Sequence, residues 1–175
     1  MIAVRPEHED DAAAITAVNR SAFGRDDEAR LIAALRASAT FIPALSLVAV
    51  DDGAVVGHIL FSPVTIHTVS GPRTALGLGP MAVRPERQGQ GIGSALVREG
   101  LAACRRARDE MDVAAVVVVG HAGFYPRFGF TSARAYGLEP PFDLSDANWM
   151  ACEMEPGALR DNAGRVTYPP AFDVL

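Results

Sequence analysis

A glycine-rich stretch in the middle of the chain restricts the fold more than any other feature. Residues 81–83 are predicted to end a strand, glycine occupies every second position of residues 88–93, and a helix is predicted from Ser94. The first-turn N–H groups of a helix point out of its end, where the helix dipole favours an anion. Glycine lets the backbone approach a ligand closely and adopt positive φ. The stretch therefore predicts a site for a phosphate-bearing ligand.

The spacing of these glycines excludes two common nucleotide-binding loops. A P-loop requires a lysine directly after its last glycine, and no such lysine is present. A dinucleotide fingerprint requires Gly-x-Gly-x-x-Gly early in a βαβ unit, whereas these glycines run Gly-x-Gly-x-Gly behind a series of apparent hairpins. The alternative without a ligand is a turn that only connects a strand to a helix.

Composition narrows the class of protein. A chain of 175 residues that is 49% hydrophobic indicates one globular domain with a buried core, and a net charge of −5 argues against a nucleic-acid-binding surface. Cys104 and Cys152 have no Cys-x-x-Cys spacing, which predicts two free thiols in a reducing compartment. The first residues do not resemble a signal peptide, and the longest apolar run, residues 113–119, is too short to cross a membrane. We therefore expect a soluble cytoplasmic protein that binds neither nucleic acid nor membrane.

The order of predicted elements indicates an α/β fold of the α+β type, with a mixed, largely antiparallel sheet. Residues 1–155 are predicted to form the domain, and residues 156–175 a mostly irregular tail packed on it or extending it. The predicted strands are residues 1–5, 45–50, 54–61, 64–69, 73–83, 113–119 and 149–154, and the predicted helices are residues 12–23, a second one opened by Asp26 and Asp27, residues 94–108, and a short broken one within 121–130.

Two motifs resemble those of the GNAT N-acetyltransferase superfamily. Residues 88–93, Gln-Gly-Gln-Gly-Ile-Gly, fit the Gln/Arg-x-x-Gly-x-Gly/Ala pattern of its coenzyme A pyrophosphate loop. Residues 124–130, Phe-Tyr-Pro-Arg-Phe-Gly-Phe, are similar to the aromatic-Tyr-x-x-x-Gly-Phe segment after its fifth strand. One helix and one strand separate the two motifs, as in that family. The resemblance covers roughly residues 1–155 and is nearest to short bacterial predicted N-acetyltransferases.

The resemblance implies a GNAT-like sheet flanked by helices, with a splayed cleft between the fourth and fifth strands. It also implies an acetyl-CoA-dependent N-acetyltransferase, with acetyl-CoA as co-substrate, in which a primary amine of a small molecule or protein attacks the acetyl carbon directly. A homodimer is a state that the family allows. The alternative is a non-catalytic acyl-CoA-binding or sensing module on the same fold. The implied cofactor-binding residues are Met81, Ala82, Val83, Gln88, Gly89, Gln90, Gly91, Ile92, Gly93, Ser94, Phe124 and Arg127.

The chemistry of this reaction suggests candidate catalytic residues. The departing CoA thiolate resembles a cysteine thiolate, whose conjugate acid has a pKa near ~8.5, and the phenol of Tyr125, near ~10, can stay protonated beside it. The attacking amine must be neutral, so it needs a base or a water route. Glu28 and His58 are candidate bases, and Glu28 is slightly favoured because the first two helices of the family border the acceptor pocket. Their structural alternatives are a helix-start carboxylate and a core histidine.

Other reactive side chains lack a supporting pattern. Arg87 and Arg127 could contact CoA phosphates or only solvent, and the sequence leaves both open. Neither cysteine has a histidine at motif spacing, which argues against a covalent acetyl-cysteine. The four histidines are scattered along the chain and predict no metal site. Residues 24–42 and 131–148, where acceptor specificity is expected, carry no pattern that names the acceptor.

Overall fold

The computed structural model describes residues 1–175, and the chain divides into two compact units. The first unit comprises residues 1–62, 79–103 and 170–175, and the second comprises residues 63–78 and 104–169. The helices are α1 (Ala12–Phe23), α2 (Asp27–Arg36) and α3 (Ile92–Met111). The strands are β1 (Ala3–Pro6), β2 (Ser46–Asp51), β3 (Ala54–Thr68), β4 (Gly71–Val83), β5 (Ala115–Val119), β6 (Thr131–Ser132), β7 (Leu138–Glu139), β8 (Trp149–Glu153) and β9 (Gly164–Thr167).

The first unit is an antiparallel sheet covered by α1 and α2. β1 pairs with β2 from Ala3↔Val50 to Pro6↔Leu47, and β2 pairs with β3 through the tight turn at Asp52 and Gly53. The helical periodicity of α1 and α2 places one apolar face of each helix on this sheet. Their shared core consists of Ile15, Val18, Leu31, Ile32, Leu35, Val48, Val55, Leu60 and Ala82. Both helices lie where the sequence predicts them.

The first half of α3 packs closely against β3, which fixes where the helix begins. Gly57 of β3 has no room for a side chain, because a Cβ there would lie 2.9 Å from Cδ1 of Leu96 and 3.1 Å from Cγ2 of Ile92. Ile92 and Leu96 are themselves buried. The close approach of helix and strand therefore holds the first turn of α3 in place.

The second unit is organised around β5, four of whose five residues are buried. β5 pairs in parallel with β4 from Leu76↔Val116 to Leu78↔Val118 and antiparallel with β8 from Ala115↔Glu153 to Val119↔Trp149. This confirms the prediction of a covered central strand. Beyond the three parallel pairs β4 continues to Val83. The mixed, largely antiparallel sheet flanked by helices confirms the predicted fold class.

One strand prediction was wrong, and one strand was missed. Residues 54–61 and 64–69 were expected to be separate strands divided by Pro63, but β3 runs through that proline. β3 pairs with β2 up to Leu60 and with β9 from Thr65, so Pro63 stands where neither strand needs its missing N–H. The tail, expected to be mostly irregular, also contains a strand that the sequence did not predict, since residues 164–167 form β9. The division at residue 155 stays a prediction.

The start of α3 also differs from the prediction. The helix was expected from Ser94 but begins at Ile92, so Gly93 lies in its first turn and has no positive φ. The predicted short helix near residue 125 is a single 3-10 turn, Tyr125–Phe128. None of the helices is both long and apolar enough to cross a membrane.

Candidate active site

The glycine loop, residues 84–91, joins β4 to α3 and leaves backbone donors free. Gly89 and Gly91 adopt φ of +73° and +82°, which only glycine adopts without strain. The carbonyl of Gly91 accepts the first helical bond from the N–H of Ala95, at 3.0 Å. The N–H groups of residues 92–94 therefore have no partner within the helix. This end of α3 is suited to an anion such as a pyrophosphate.

The polar side chains of the loop bind other parts of the first unit. Nε2 of Gln88 donates to the carbonyl of Val83 at 3.1 Å, and Nε of Arg87 donates to Oε1 of Gln90 at 3.0 Å. Arg87 also forms an ion pair with Asp51, in which Nη2 and Oδ2 are 2.7 Å apart. The loop thus keeps its shape through side chains, while its amides stay available.

The residues at the end of β4 alternate between buried and half-buried. Ala82 is buried in the core beneath α1 and α2, whereas Met81 and Val83 are half-buried. Arg84, the next residue, donates its backbone N–H to the carbonyl of Val56 and its Nε to the carbonyl of Val55, both at 2.9 Å. These bonds fix the point at which the strand passes into the glycine loop.

Tyr125 opens a 3-10 turn in the second unit and is held by aromatic contacts. Its side chain is 6% exposed, and its ring stands edge-on to Phe124 and Phe130, with centroids 5.0 and 5.6 Å apart. Gly120 lies so close to the ring that a Cβ there would collide with it. Burial raises the pKa of the Tyr125 phenol to about 12. The phenol is therefore fully protonated at neutral pH.

Arg127 of the same turn is exposed and rests on its neighbours. Its Nη2 donates to the carbonyl of Gly123 at 3.1 Å, and its guanidinium lies 5.1 Å from the centre of the Phe124 ring. A cation in this position gains roughly 0.5–1 kcal/mol from the ring. The contact holds Arg127 over Phe124, and the side chain remains exposed to solvent.

Glu28 lies in the first turn of α2 and is 4% exposed. Nε of Arg25 donates to both of its oxygens, at 3.0 and 3.1 Å, and Nη2 of Arg25 donates to Oε1 as well. Because these lone pairs are occupied, Glu28 can accept a proton from a substrate only if its pairing with Arg25 changes. This arrangement suits a helix-start carboxylate at least as well as a base.

His58 is enclosed in what we call the buried network, formed by Glu7, Asn19, Arg36, Ser46 and His58. Its Nδ1 lies 3.3 Å from Nδ2 of Asn19, and its Nε2 lies 3.0 Å from Oγ of Ser46. An amide nitrogen can only donate, so Nδ1 accepts and Nε2 carries the proton. Burial lowers the pKa of His58, and the opposing effect of Glu7 is smaller. A fully buried, neutral ring with both nitrogens engaged favours the core-histidine alternative.

Glu7 carries the negative charge of the buried network. Burial alone would raise its pKa, but hydrogen bonding from His58, Arg36 and Ser46 outweighs that effect and lowers the pKa to about 2. Nε of Arg36 donates to Oε1 at 2.8 Å, and the Ser46 hydroxyl donates to Oε2. Among the side-chain atoms of the network, Oδ1 of Asn19 is buried without a partner.

Neither the cysteines nor the acidic groups form a further reactive centre. Cys104 and Cys152 are both buried and free, and burial raises the pKa of the two thiols, that of Cys104 to about 12. Such thiols are not nucleophilic thiolates at neutral pH. No three His, Cys, Asp or Glu side chains are arranged to hold a metal ion.

Comparison with known proteins identifies the family. A model of the GNAT acetyltransferase domain matches residues 43–132, just over half of the chain, including the glycine loop and the Tyr125 turn. The chain belongs to the GNAT acetyltransferase family. This confirms the family predicted from the two motifs and, with it, the reaction class of an acetyl-CoA-dependent N-acetyltransferase.

Two relatives from Escherichia coli K12 are similar over most of their length. The uncharacterized N-acetyltransferase YjhQ is 40% identical over 144 residues, which cover 80% of this chain and 77% of YjhQ. The uncharacterized N-acetyltransferase YhbS is 34% identical over 171 residues, which cover 97% of this chain and 98% of YhbS. Neither name states an acceptor.

Two solved GNAT structures are similar to this one along nearly the whole chain. The crystal structure of Escherichia coli YhbS in complex with CoA has a TM-score of 0.87 at 33% identity and covers 98% of this chain and 92% of its own. A GNAT acetyltransferase from Brucella melitensis in complex with acetyl-CoA has a TM-score of 0.78 at 36% identity and covers 99% of both chains.

The sequence did not predict the ion pairs that Glu28 and Arg87 form. The Arg25–Glu28 pair has the i, i+3 spacing of helical neighbours and could have been suspected from that spacing. The pairing of Asp51 with Arg87 joins residues 36 positions apart and leaves no local signal.

Proposed function

We propose that this GNAT enzyme transfers the acetyl group of acetyl-CoA to a primary amine of a small molecule or protein, by direct attack. The observation that carries the proposal is the glycine loop, with its positive-φ glycines and the unpartnered amides at the start of α3. The amides of residues 89–94 bind the pyrophosphate. Backbone groups of Met81, Ala82 and Val83 pair with the pantetheine arm. Gln88, Phe124 and Arg127 complete the proposed set of cofactor-binding residues.

The chemical step conserves its protons without a covalent enzyme intermediate. The neutral amine nitrogen forms a bond to the acetyl carbon, and the bond from that carbon to the CoA sulfur breaks. The amine loses one proton to a base or water, and the sulfur gains one. The buried thiols, with their raised pKa values, take no part in this proposal.

Tyr125 is the proposed donor to the leaving sulfur. Because the phenol pKa is about 12 and that of a thiol is near ~8.5, complete transfer of the phenolic proton to the sulfur is unfavourable. The hydroxyl therefore stabilises the developing thiolate mainly through a hydrogen bond, and the proton released by the amine neutralises the product. Glu28 remains the proposed base. Because Arg25 occupies its oxygens, a water route is the alternative.

A non-catalytic acyl-CoA-binding module is the second candidate function. It is favoured by the engagement of both candidate bases, since Glu28 is paired with Arg25 and His58 is enclosed. Such a module would bind acetyl-CoA by the same loop and release no thiol in the presence of any amine.

One assay separates these two functions. Release of CoA thiol from acetyl-CoA is measured with amines, amino acids, polyamines, aminoglycosides and peptide N-termini, and calorimetry measures acetyl-CoA binding in parallel. Micromolar binding with amine-dependent thiol release supports the enzyme. Binding without thiol release supports the module, and no binding at millimolar acetyl-CoA would contradict both.

The setting of the reaction is also a proposal. The two buried, unpaired cysteines fit a reducing compartment, so we propose that the enzyme acts in the cytoplasm. A homodimer is proposed by analogy with the family, and light scattering at several protein concentrations measures it directly.

A further inference from the structure

Asp51 and Arg87 connect the β2–β3 hairpin to the glycine loop. Asp51 is the last residue of β2, and its side chain is 17% exposed. Its Oδ2 accepts from Nη2 of Arg87 at 2.7 Å, while Nε of the same guanidinium donates to Oε1 of Gln90 at 3.0 Å. The planar guanidinium of Arg87 thus bonds Asp51 of the hairpin and Gln90 of the loop.

We propose that Asp51 is a positioning residue for the coenzyme site and acts through Arg87 to hold the glycine loop in its binding shape. The inference rests on the proposed function, since it assumes that the loop binds the CoA pyrophosphate. It assigns Arg87 to bracing the loop, which is neither of the two roles, phosphate contact and solvation, that the sequence leaves open for this residue.

The reason a brace matters lies in the two glycines on either side of Gln90. Gly89 and Gly91 have more backbone freedom than any other residue type, and fixing it when a ligand binds is unfavourable. Gln90 is held from one side by Arg87, and its Nε2 lies 3.4 Å from the carbonyl of Glu86. A loop that is ordered before the ligand arrives binds more tightly, because less freedom is lost on binding.

The charge of Arg87 argues against direct phosphate binding. Its Nη2 is hydrogen-bonded to a carboxylate, so an incoming phosphate would have to compete with Asp51 for this guanidinium. The backbone amides at the start of α3 provide donors without such a neighbour. The two roles therefore predict opposite effects of removing the Asp51 charge. Loss of a brace weakens CoA binding, whereas release of a phosphate-binding arginine strengthens it.

Three variants and one control separate these roles. Asp51→Asn removes the charge of the carboxylate. Arg87→Lys keeps the positive charge but replaces the two nitrogens that bond Asp51 and Gln90 in one fixed plane by a single flexible ammonium group. The double variant tests whether both residues act through one contact. Asp52→Asn is the matched control, since Asp52 is exposed, adjacent to Asp51 and has φ of +47°, which asparagine tolerates.

The Arg87 variant also controls for a second partner of Asp51. Oδ1 of Asp51 accepts from the ammonium group of Met1 at 2.9 Å, so Asp51→Asn disturbs two contacts. Arg87→Lys leaves the contact with Met1 in place. A similar weakening in both single variants therefore assigns the effect to the loop.

The closing experiment measures CoA dissociation constants by calorimetry at fixed salt, KM and kcat for acetyl-CoA, and hydrogen exchange of the amides of residues 88–94. We expect each single variant to raise Kd and KM at least about fivefold, kcat at saturation to stay unchanged, and loop exchange to accelerate in the free protein. The double variant should bind CoA no more weakly than the single variant with the higher Kd. Asp52→Asn should have the Kd of the parent.

Three results would overturn the inference. They are Asp51→Asn binding CoA as tightly as the parent or more tightly, additive losses in the double variant, and unchanged loop exchange in both single variants. If the parent protein itself binds no CoA, the proposed function fails. Hydrogen exchange distinguishes this from failure of the brace, because it is measured without ligand: unchanged loop exchange in both single variants overturns the brace alone.

Discussion

The glycine loop and the buried network, both in the first unit, use their polar groups in opposite ways. In the network, side chains that could carry acid–base chemistry bond one another and leave no surface for a substrate. In the loop, side chains with little reactivity bond the surroundings, and the N–H groups of residues 92–94 at the start of α3 have no partner within the helix. In this molecule the acid–base side chains of the network thus stabilise the fold, and a segment with two positive-φ glycines forms the candidate binding site.

The difference follows from burial. A charged group that is taken out of water must be paired, so a buried glutamate or histidine is retained together with its partners and becomes inert. Backbone N–H groups at a helix start can remain exposed to water at little cost and are therefore ready for an anion. Residue type alone is a poor guide to function where burial is unknown.

The largest expected effect comes from breaking the network. Glu7→Ala leaves Arg36 and Ser46 without their acceptor, and loss of one partner of a buried charge pair costs about 3–5 kcal/mol. Denaturant unfolding should show this loss, with CoA affinity of the folded fraction unchanged. Glu9→Ala, an exposed glutamate nearby, is the control. A selective loss of CoA affinity would contradict the division between network and loop.

Acid should destabilise the network in two stages. The pKa of Glu7 is lowered from its ordinary value of 4.5 to about 2, so its contribution is present above pH 4.5 and is lost as the pH falls towards 2. The lowered pKa of Glu7 corresponds to about 3 kcal/mol of folding stability above that range. The pKa of His58 is also lowered, so the native ring stays neutral while the unfolded chain takes up a proton below its ordinary value of 6.5. Stability should therefore begin to fall below pH 6.5.

The measurement is the free energy of unfolding between pH 8 and pH 3, determined with urea. His58→Gln keeps an acceptor for Asn19 and a donor for Ser46 but cannot be protonated, so the decline between pH 6.5 and pH 5 should flatten. An unchanged slope in this variant would show that His58 does not titrate on unfolding.

Tyr125 tests the rule that buried reactive side chains are inert, because it is buried and is also the proposed donor to the leaving sulfur. Tyr125→Phe keeps the ring that packs on Phe124 and Phe130 but removes the hydroxyl. We expect kcat to fall about a hundredfold, as for loss of a hydrogen bond to the developing thiolate, with little change in acetyl-CoA affinity. Steady-state kinetics from pH 6 to pH 10 and calorimetry measure both effects. Equal turnover in the variant and the parent would make Tyr125 a packing residue.

What could be predicted from the sequence depended on how local each signal was. The glycine spacing, the Tyr125 segment and the apolar stripes of α1 and α2 lie within short windows, and they led to the family and the fold class. The passage of β3 through Pro63 could not be seen locally, because it depends on which strands border β3 on either side of that proline. β9 was missed for the same reason.

The candidate site shows the same limit. The position of the glycine loop was predictable, but the start of α3 at Ile92 depends on its packing against Gly57, which lies 35 residues earlier. The enclosure of His58 requires contacts from Asn19 and Ser46, which lie in α1 and β2. Without those contacts a lone histidine in a strand is equally compatible with a base and with a core residue.

The smallest expected effect is on the loop backbone and isolates what glycine contributes there. Gly91→Ala places a Cβ on a residue with φ of +82°, in open space, so only backbone strain of roughly 1–2 kcal/mol is added. Gly24→Ala is the matched control, since Gly24 ends α1 with φ of +69° and also has open space around it. Both variants should lose similar stability in thermal unfolding. Only Gly91→Ala should weaken CoA binding, by about tenfold, because relaxing the strain moves the amides at the start of α3. Equal CoA affinity in the two variants would mean that the ligand does not need the loop in this shape, and the contrast with the buried network would then rest on Tyr125 alone.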